Sequence, residues 1–152
     1  MSVSLQGMIE RAARLNPEGE CLVFQGEVRS WSQVQQRISA IAAGLLGMSL
    51  SEGDRVAILS LNCANYYEAL FAVPWAGCSV VPLNSRWALP ENEYALGDSG
   101  AKVVFFDDAF TEQVEALKAS VASLEHAVYF GNGQCPSWAT DVSQLIDANA
   151  PI

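Results

Sequence analysis

At 152 residues the chain has the size of one ordinary domain, and 51% hydrophobic residues suit a packed globular core that needs no staples. Eight basic residues stand scattered among seventeen acidic ones, for a net charge of −9. That balance argues against nucleic acid and anionic membrane surfaces as partners, since both are bound by clustered Lys and Arg. The longest apolar stretch, Ala69 to Leu83, is broken by Pro74 and Gly77 and falls short of the ~20 residues of a spanning helix, so no membrane span is expected.

The first residues, Met1-Ser-Val-Ser-Leu-Gln-Gly, carry no charged segment followed by an apolar one, so no secretory leader is read and the expected location is cytoplasmic. Leu5, Met8, Ile9, Ala12, Ala13 and Leu15 repeat at helical spacing, and Asn16-Pro17 stops that helix. Cys21–Phe24 and Val28–Trp31 flank Gln25-Gly26-Glu27 as a β-hairpin. Ser30 followed by Gln33 is a capping-box signature, which sends the second hairpin strand directly into a helix reaching about Leu46.

From residue 55 the rhythm becomes regular: strand 55–61, helix 64–76, strand 79–83, helix 90–97, strand 102–106, helix 110–123, strand 126–130. These four strands are continuous apolar runs, the pattern of burial on both sheet faces. The fold class expected is therefore α/β: a doubly wound, mostly parallel sheet flanked by helices, with an N-terminal β-hairpin. Beyond Phe130 comes a loop, Gly131 to Trp138, and then a short amphipathic piece around Val142, Leu145 and Ile146.

In such a sheet ligands approach the carboxyl ends of the strands. Three polar clusters follow strands: Asn62 to Asn65, Asn84-Ser85-Arg86, and Asp107-Asp108. The first reads as a helix N-cap made by asparagine, and capping also accounts for the two aspartates before the helix near Thr111. Arg86 reads two ways: a guanidinium on that edge suits a phosphate or carboxylate through two parallel hydrogen bonds, and the spacing alone equally fits a solvated or salt-bridged surface arginine. His126, the only histidine, has no Ser, Cys or carboxylate at a telling interval. Cys21, Cys63, Cys78 and Cys135 are widely spaced in or beside apolar runs and read as buried thiols. Trp75 and Trp87 suit either packing or the lining of a tunnel. No strand-to-helix turn holds a G-x-G-x-x-G, a G-x-x-x-x-G-K-[ST] or a G-x-S-x-G sequence.

Ser30-Trp-Ser-Gln-Val34, Glu52-Gly-Asp-Arg-Val-Ala-Ile58, Asn62 to Tyr67, Ala76-Gly77, Val81-Pro-Leu-Asn84 and Asp98-Ser-Gly-Ala101 together resemble, in that order, the N-terminal region of adenylate-forming acyl-CoA synthetases. The resemblance runs from about residue 5 to 150. It implies a two-step ligase that activates a carboxylic acid, of the fatty-acid type, with ATP and Mg2+ to an acyl-adenylate and then transfers the acyl group to coenzyme A. It further implies that residues 1–152 form a single domain, the N-terminal subdomain of a longer enzyme and inactive by itself. The Ser/Thr/Gly-rich loop whose lysine holds the ATP phosphates in the family is not in this sequence. It places Asn84 and Arg86 on the coenzyme A side and assigns no catalytic or metal-binding residue to this chain. Two other readings of the residues stay open: an independent flavodoxin-like module binding a small anion, and a non-catalytic interaction domain.

Overall fold

The computed structural model describes residues 4–152, so the reading of the first three residues lies outside the described part. Helix α1 (Leu5–Leu15) begins where Ser4 Oγ accepts from the Gly7 amide at 3.0 Å and ends at Asn16, ahead of Pro17. Strands β1 (Glu20–Phe24) and β2 (Glu27–Ser30) pair antiparallel. Gln25 and Gly26 close them with φ of 49° and 84°, the left-handed pair of a tight hairpin turn. The predicted capping box is present: Ser30 Oγ accepts from the Gln33 amide at 3.3 Å, and Gln33 Oε1 accepts from the Ser30 amide at 2.9 Å. It launches α2 (Trp31–Leu46) without a linker.

Through β6 the remainder alternates as expected: β3 (Arg55–Leu59), α3 (Ala64–Trp75), β4 (Ser79–Pro82), α4 (Leu89–Ser99), β5 (Val103–Phe106), α5 (Thr111–Ser120) and β6 (His126–Tyr129), followed by β7 (Thr140–Asp141) and α6 (Val142–Ala148). A single 3-10 turn, Asp108–Phe110, leads into α5. The five strands form one parallel sheet in the order β4-β3-β5-β6-β7. Strand β7 was not foreseen: two half-buried polar residues give no apolar run, and only their pairing with Val128 and Tyr129 makes them a strand.

Alternate residues of each central strand feed two cores. Val56, Ile58, Val103, Phe105 and Val128 pack with α1, α2, α3 and α6. Ala57, Leu59, Val104, Phe106, Ala127 and Tyr129 pack with α4 and α5. Helices thus cover both faces, which is what the continuous apolar runs demanded. The expectation of double burial fails for β4, whose Ser79 and Pro82 are exposed, because the strand order puts β4 on the edge. Ser79 and Leu83 donate inward to Asp54 O and Ile58 O, so Pro82 faces outward, where its missing amide breaks no ladder bond and blunts the edge against strand addition.

Candidate functional site

Because β3 pairs in register with both β4 and β5, and β5 with β6, the turns after all four strands emerge at one rim. The order places the topological switch point between β3 and β5. Asp107 fills it. One carboxylate oxygen accepts from Ser60 Oγ at 2.8 Å and from the Leu61 amide at 2.9 Å, and the other accepts from the Ala109 amide at 3.0 Å, capping the 3-10 turn. Asp108 accepts from the Tyr129 hydroxyl and from the Asn132 and Gly133 amides at 2.9 and 3.2 Å. Asp107 therefore caps, as read, whereas Asp108 caps no helix and instead holds the end of β6 and the loop after it; together the two tie three strand ends. A side chain at Gly131 or Gly133 would place its Cβ 2.5 or 2.6 Å from Asp108, so the Gly-Asn-Gly loop is glycine-rich for close approach to that carboxylate. Hydrogen bonding from Tyr129 holds the Asp108 carboxyl below the usual range. Burial first, and Asp108 second, push the Tyr129 hydroxyl up to about 12. With all four oxygens engaged and their charge negative, this part of the rim suits neither a phosphate nor a metal.

The first polar cluster differs from the expectation of an asparagine cap. The residue that caps α3 is Cys63, whose Sγ accepts from the Tyr66 amide at 3.3 Å, because Asn62 lies one position too early and is exposed. Asn65, in the first helical turn, donates to Phe130 O at 2.8 Å and accepts from Arg29 and Arg37 at 3.2 and 3.4 Å. Both guanidiniums converge on Glu68, which is fully buried: Arg29 at 2.7 Å and Arg37 at 2.9 Å to each oxygen. This hub joins the hairpin, α2, α3 and the end of β6. Beside it a cavity of about 140 Å³ is lined by Phe24, Arg29, Cys63, Asn65 and Phe130. Arg29 also faces Glu27 at 3.7 Å, so the cavity's cation is already neutralised.

The turn carrying Asn84 and Arg86 is built on its own asparagine. Asn84 Oδ1 accepts from the Arg86 amide at 2.9 Å, and Asn84 O from the Trp87 amide at 3.1 Å. Among the described residues the exposed Arg86 guanidinium has no hydrogen bond or ion pair, unlike Arg29, Arg37 and Arg55. Next to the turn runs an open apolar groove of about 640 Å³ lined by Val81, Trp87, Pro90, Tyr94 and Ala95, with Glu91 and Asp98 on its border. The two tryptophans read together in the sequence separate here: Trp75 is packed in the core, whereas Trp87, 40% exposed, belongs to the groove.

His126 opens β6, half-buried, with no side-chain partner among the described residues. The four cysteines are free thiols, with Cys78 buried and the others half-buried. Burial raises Cys21, Cys78 and Cys135 above the ordinary thiol value, which makes them poor nucleophiles. Among the described residues no group of three His, Cys, Asp or Glu side chains is placed to hold a metal ion. Among the described residues no helix is long and apolar enough to cross a membrane.

Comparison with known proteins agrees with this geometry. The family model of the AMP-binding enzyme matches residues 9–147. A feruloyl-CoA synthase from an Amycolatopsis species is 38% identical over 109 residues, which is 72% of this chain and 22% of that protein. A fatty acid–[acyl-carrier-protein] ligase, ScoC, from Streptomyces coeruleorubidus is 33% identical over 108 residues, 71% of this chain and 21% of its own length. The chain thus spans about a fifth of these relatives. The solved structure of a Rhodopseudomonas palustris protein assigned as a long-chain-fatty-acid CoA ligase superposes with a TM-score of 0.86 at 29% identity, covering 94% of this chain and 36% of that one. With residues 9–147 of its 152 matched by that family model, the chain belongs to the AMP-binding enzyme family.

Proposed function

We propose that this chain is the N-terminal region of an acid–CoA ligase and that its turn at Asn84–Arg86 serves the coenzyme A side of the reaction. In the whole enzyme the carboxylate of the acid attacks the α-phosphate of ATP, releasing pyrophosphate and giving an acyl-adenylate. The thiol of coenzyme A then attacks the acyl carbon and AMP leaves. The relatives include a feruloyl-CoA synthase and a fatty acid ligase, so the substrate is proposed only as a carboxylic acid.

The observation that carries the coenzyme A assignment is the free guanidinium of Arg86 one residue before the aromatic groove. An adenine stacks on an indole or phenol ring, as Trp87 and Tyr94 offer, and an arginine binds phosphate oxygens through paired hydrogen bonds. Glu91, whose carboxylate accepts from the Ala88 amide beside the turn, and Asp98 make the groove itself acidic, so phosphates there depend on the Arg86 guanidinium.

ATP and Mg2+ do not fit the residues present. The amide of Leu61 at the switch point is already bonded to the Asp107 carboxylate. Of the two lysines, Lys102 is bound to Asp54 at 2.8 Å at the amino end of the sheet, and Lys118 lies on α5, so neither stands on the rim. No step of adenylation is therefore assigned to this chain, and the 152 residues alone are not expected to turn over. A small-anion module of flavodoxin type is opposed by the same Asp107 contact. Nor does the Arg29 cavity favour it, because Glu68 and Glu27 consume that charge.

The test is Arg86→Ala in the enzyme that carries this chain. The expected result is a raised KM for coenzyme A with acid-dependent pyrophosphate release unchanged. An unaltered thioester-forming step would remove Arg86 from the site.

A further inference from the structure

We propose that Asn92 is a positioning residue, retained to order the Asn84–Ala88 turn rather than to stabilise the core; this rests on the coenzyme A reading of that turn. Asn92 lies on the inner face of α4, one turn before Leu96, and both are fully buried. Its Nδ2 donates to Trp87 O at 3.4 Å, while no donor among the described residues reaches its Oδ1. The orientation of the amide follows from this contact, because a carbonyl accepts only from the nitrogen end.

For stability alone this is a poor choice. A buried acceptor without a partner is costly, and an apolar side chain at residue 92 would extend the stripe that Leu96 continues into the core of α4, α5 and the sheet. Asn92 is not needed to cap the helix either, since Glu91 Oε2 already accepts from the Ala88 amide at 2.6 Å. What the amide supplies is a hold on the peptide that follows Arg86. Gln113, on α5, donates to the same carbonyl at 3.5 Å, so two helices fix one oxygen. Ala88 is tied to α4 through Glu91, but between Asn84 and Trp87 the other bonds are internal, from the Arg86 and Trp87 amides back to Asn84. Without the Trp87 carbonyl anchored, Arg86 and the indole would move together as a loop attached at its two ends. With it anchored, their relative placement is set before a ligand arrives, and less ordering remains for binding to impose.

The experiment is amide hydrogen exchange on the free 152-residue chain, comparing Asn92→Leu, the smaller Asn92→Ala, and Gln113→Ala with the parent. Asn92→Leu is expected to speed exchange at the Arg86 and Trp87 amides by roughly three- to tenfold, the worth of one hydrogen bond. Its Tm should be unchanged or higher. Asn92→Ala should give the same local acceleration with a lower Tm, and Gln113→Ala a smaller acceleration at the same two amides. Unchanged exchange at Arg86 and Trp87 in both Asn92 variants overturns the proposal. So does acceleration spread through α4 and β5, which would mark Asn92 as an ordinary structural residue. Exchange is read without coenzyme A, so a failure here is separate from a failure of Arg86→Ala to alter the KM.

Discussion

Removing the Glu68 carboxylate tests whether the hub beneath the rim is what fastens the hairpin to the α/β layer. Glu68 is fully buried, and both its oxygens are taken by Arg29 and Arg37. Glu68→Ala leaves two guanidiniums facing a cavity, and breaking a buried pair from one side costs about 3–5 kcal/mol. The arginine side chains remain 20% and 30% exposed and keep Asn65 Oδ1, which places the loss near the lower end, about 3 kcal/mol. For a domain of this size that is a Tm drop of about 6–12 °C. Urea unfolding followed by far-UV circular dichroism, with the slope constant, reads the loss directly. The triple replacement Arg29→Met, Arg37→Met, Glu68→Leu should recover most of it, because no uncompensated charge is then buried. A loss below about 1 kcal/mol for Glu68→Ala, or a triple variant no more stable than it, would refute the reasoning.

Gly131→Ala should destabilise by about 1–3 kcal/mol, since its Cβ would sit 2.5 Å from both Asp108 Oδ2, held by the Asn132 amide, and the Tyr129 hydroxyl, held by Asp108 Oδ1; thermal unfolding checks this. Tyr129, raised from 10 to about 12, favours the folded state fully below pH ~10. That contribution is lost as pH rises toward 12, at up to about 1.4 kcal/mol per unit. Tyr129→Phe should remove this part of the alkaline slope in urea melts. Asp108 acts in the opposite sense: its lowered carboxyl stabilises above the ordinary aspartate value and stops doing so as pH falls through the folded value. Asp108→Asn should therefore flatten the acid limb.

Local signals in the chain were the readable ones. The capping box of Ser30 and Gln33, the Gln25-Gly26 turn and the apolar runs at β3 and β5 are each decided within a few residues, and all stand where expected. Properties set by strand order were not readable. Nothing local marks β4 as an edge until its position beside β3 is known, though Pro82 was a hint. Cys63 displaced the asparagine cap by one position, within the usual slip of a helix boundary. The hub was missed because its partners lie 39 and 31 residues apart in the chain. Its one sequence signal is Glu68, the single charged residue of helix α3. Asn84 and Arg86 stand together at the rim as read, while the groove beside them exists only once the fold brings Val81 of β4 and Tyr94 and Ala95 of α4 to one surface.

Titrating the isotope-labelled chain with coenzyme A, and following backbone and indole resonances, tests the assignment of the rim most directly. Shifts gathered on Arg86, Trp87 and Tyr94, and lost in Arg86→Ala, are the predicted result. Shifts confined to Arg29 and Asn65, or none at concentrations that saturate a weak site, would contradict it.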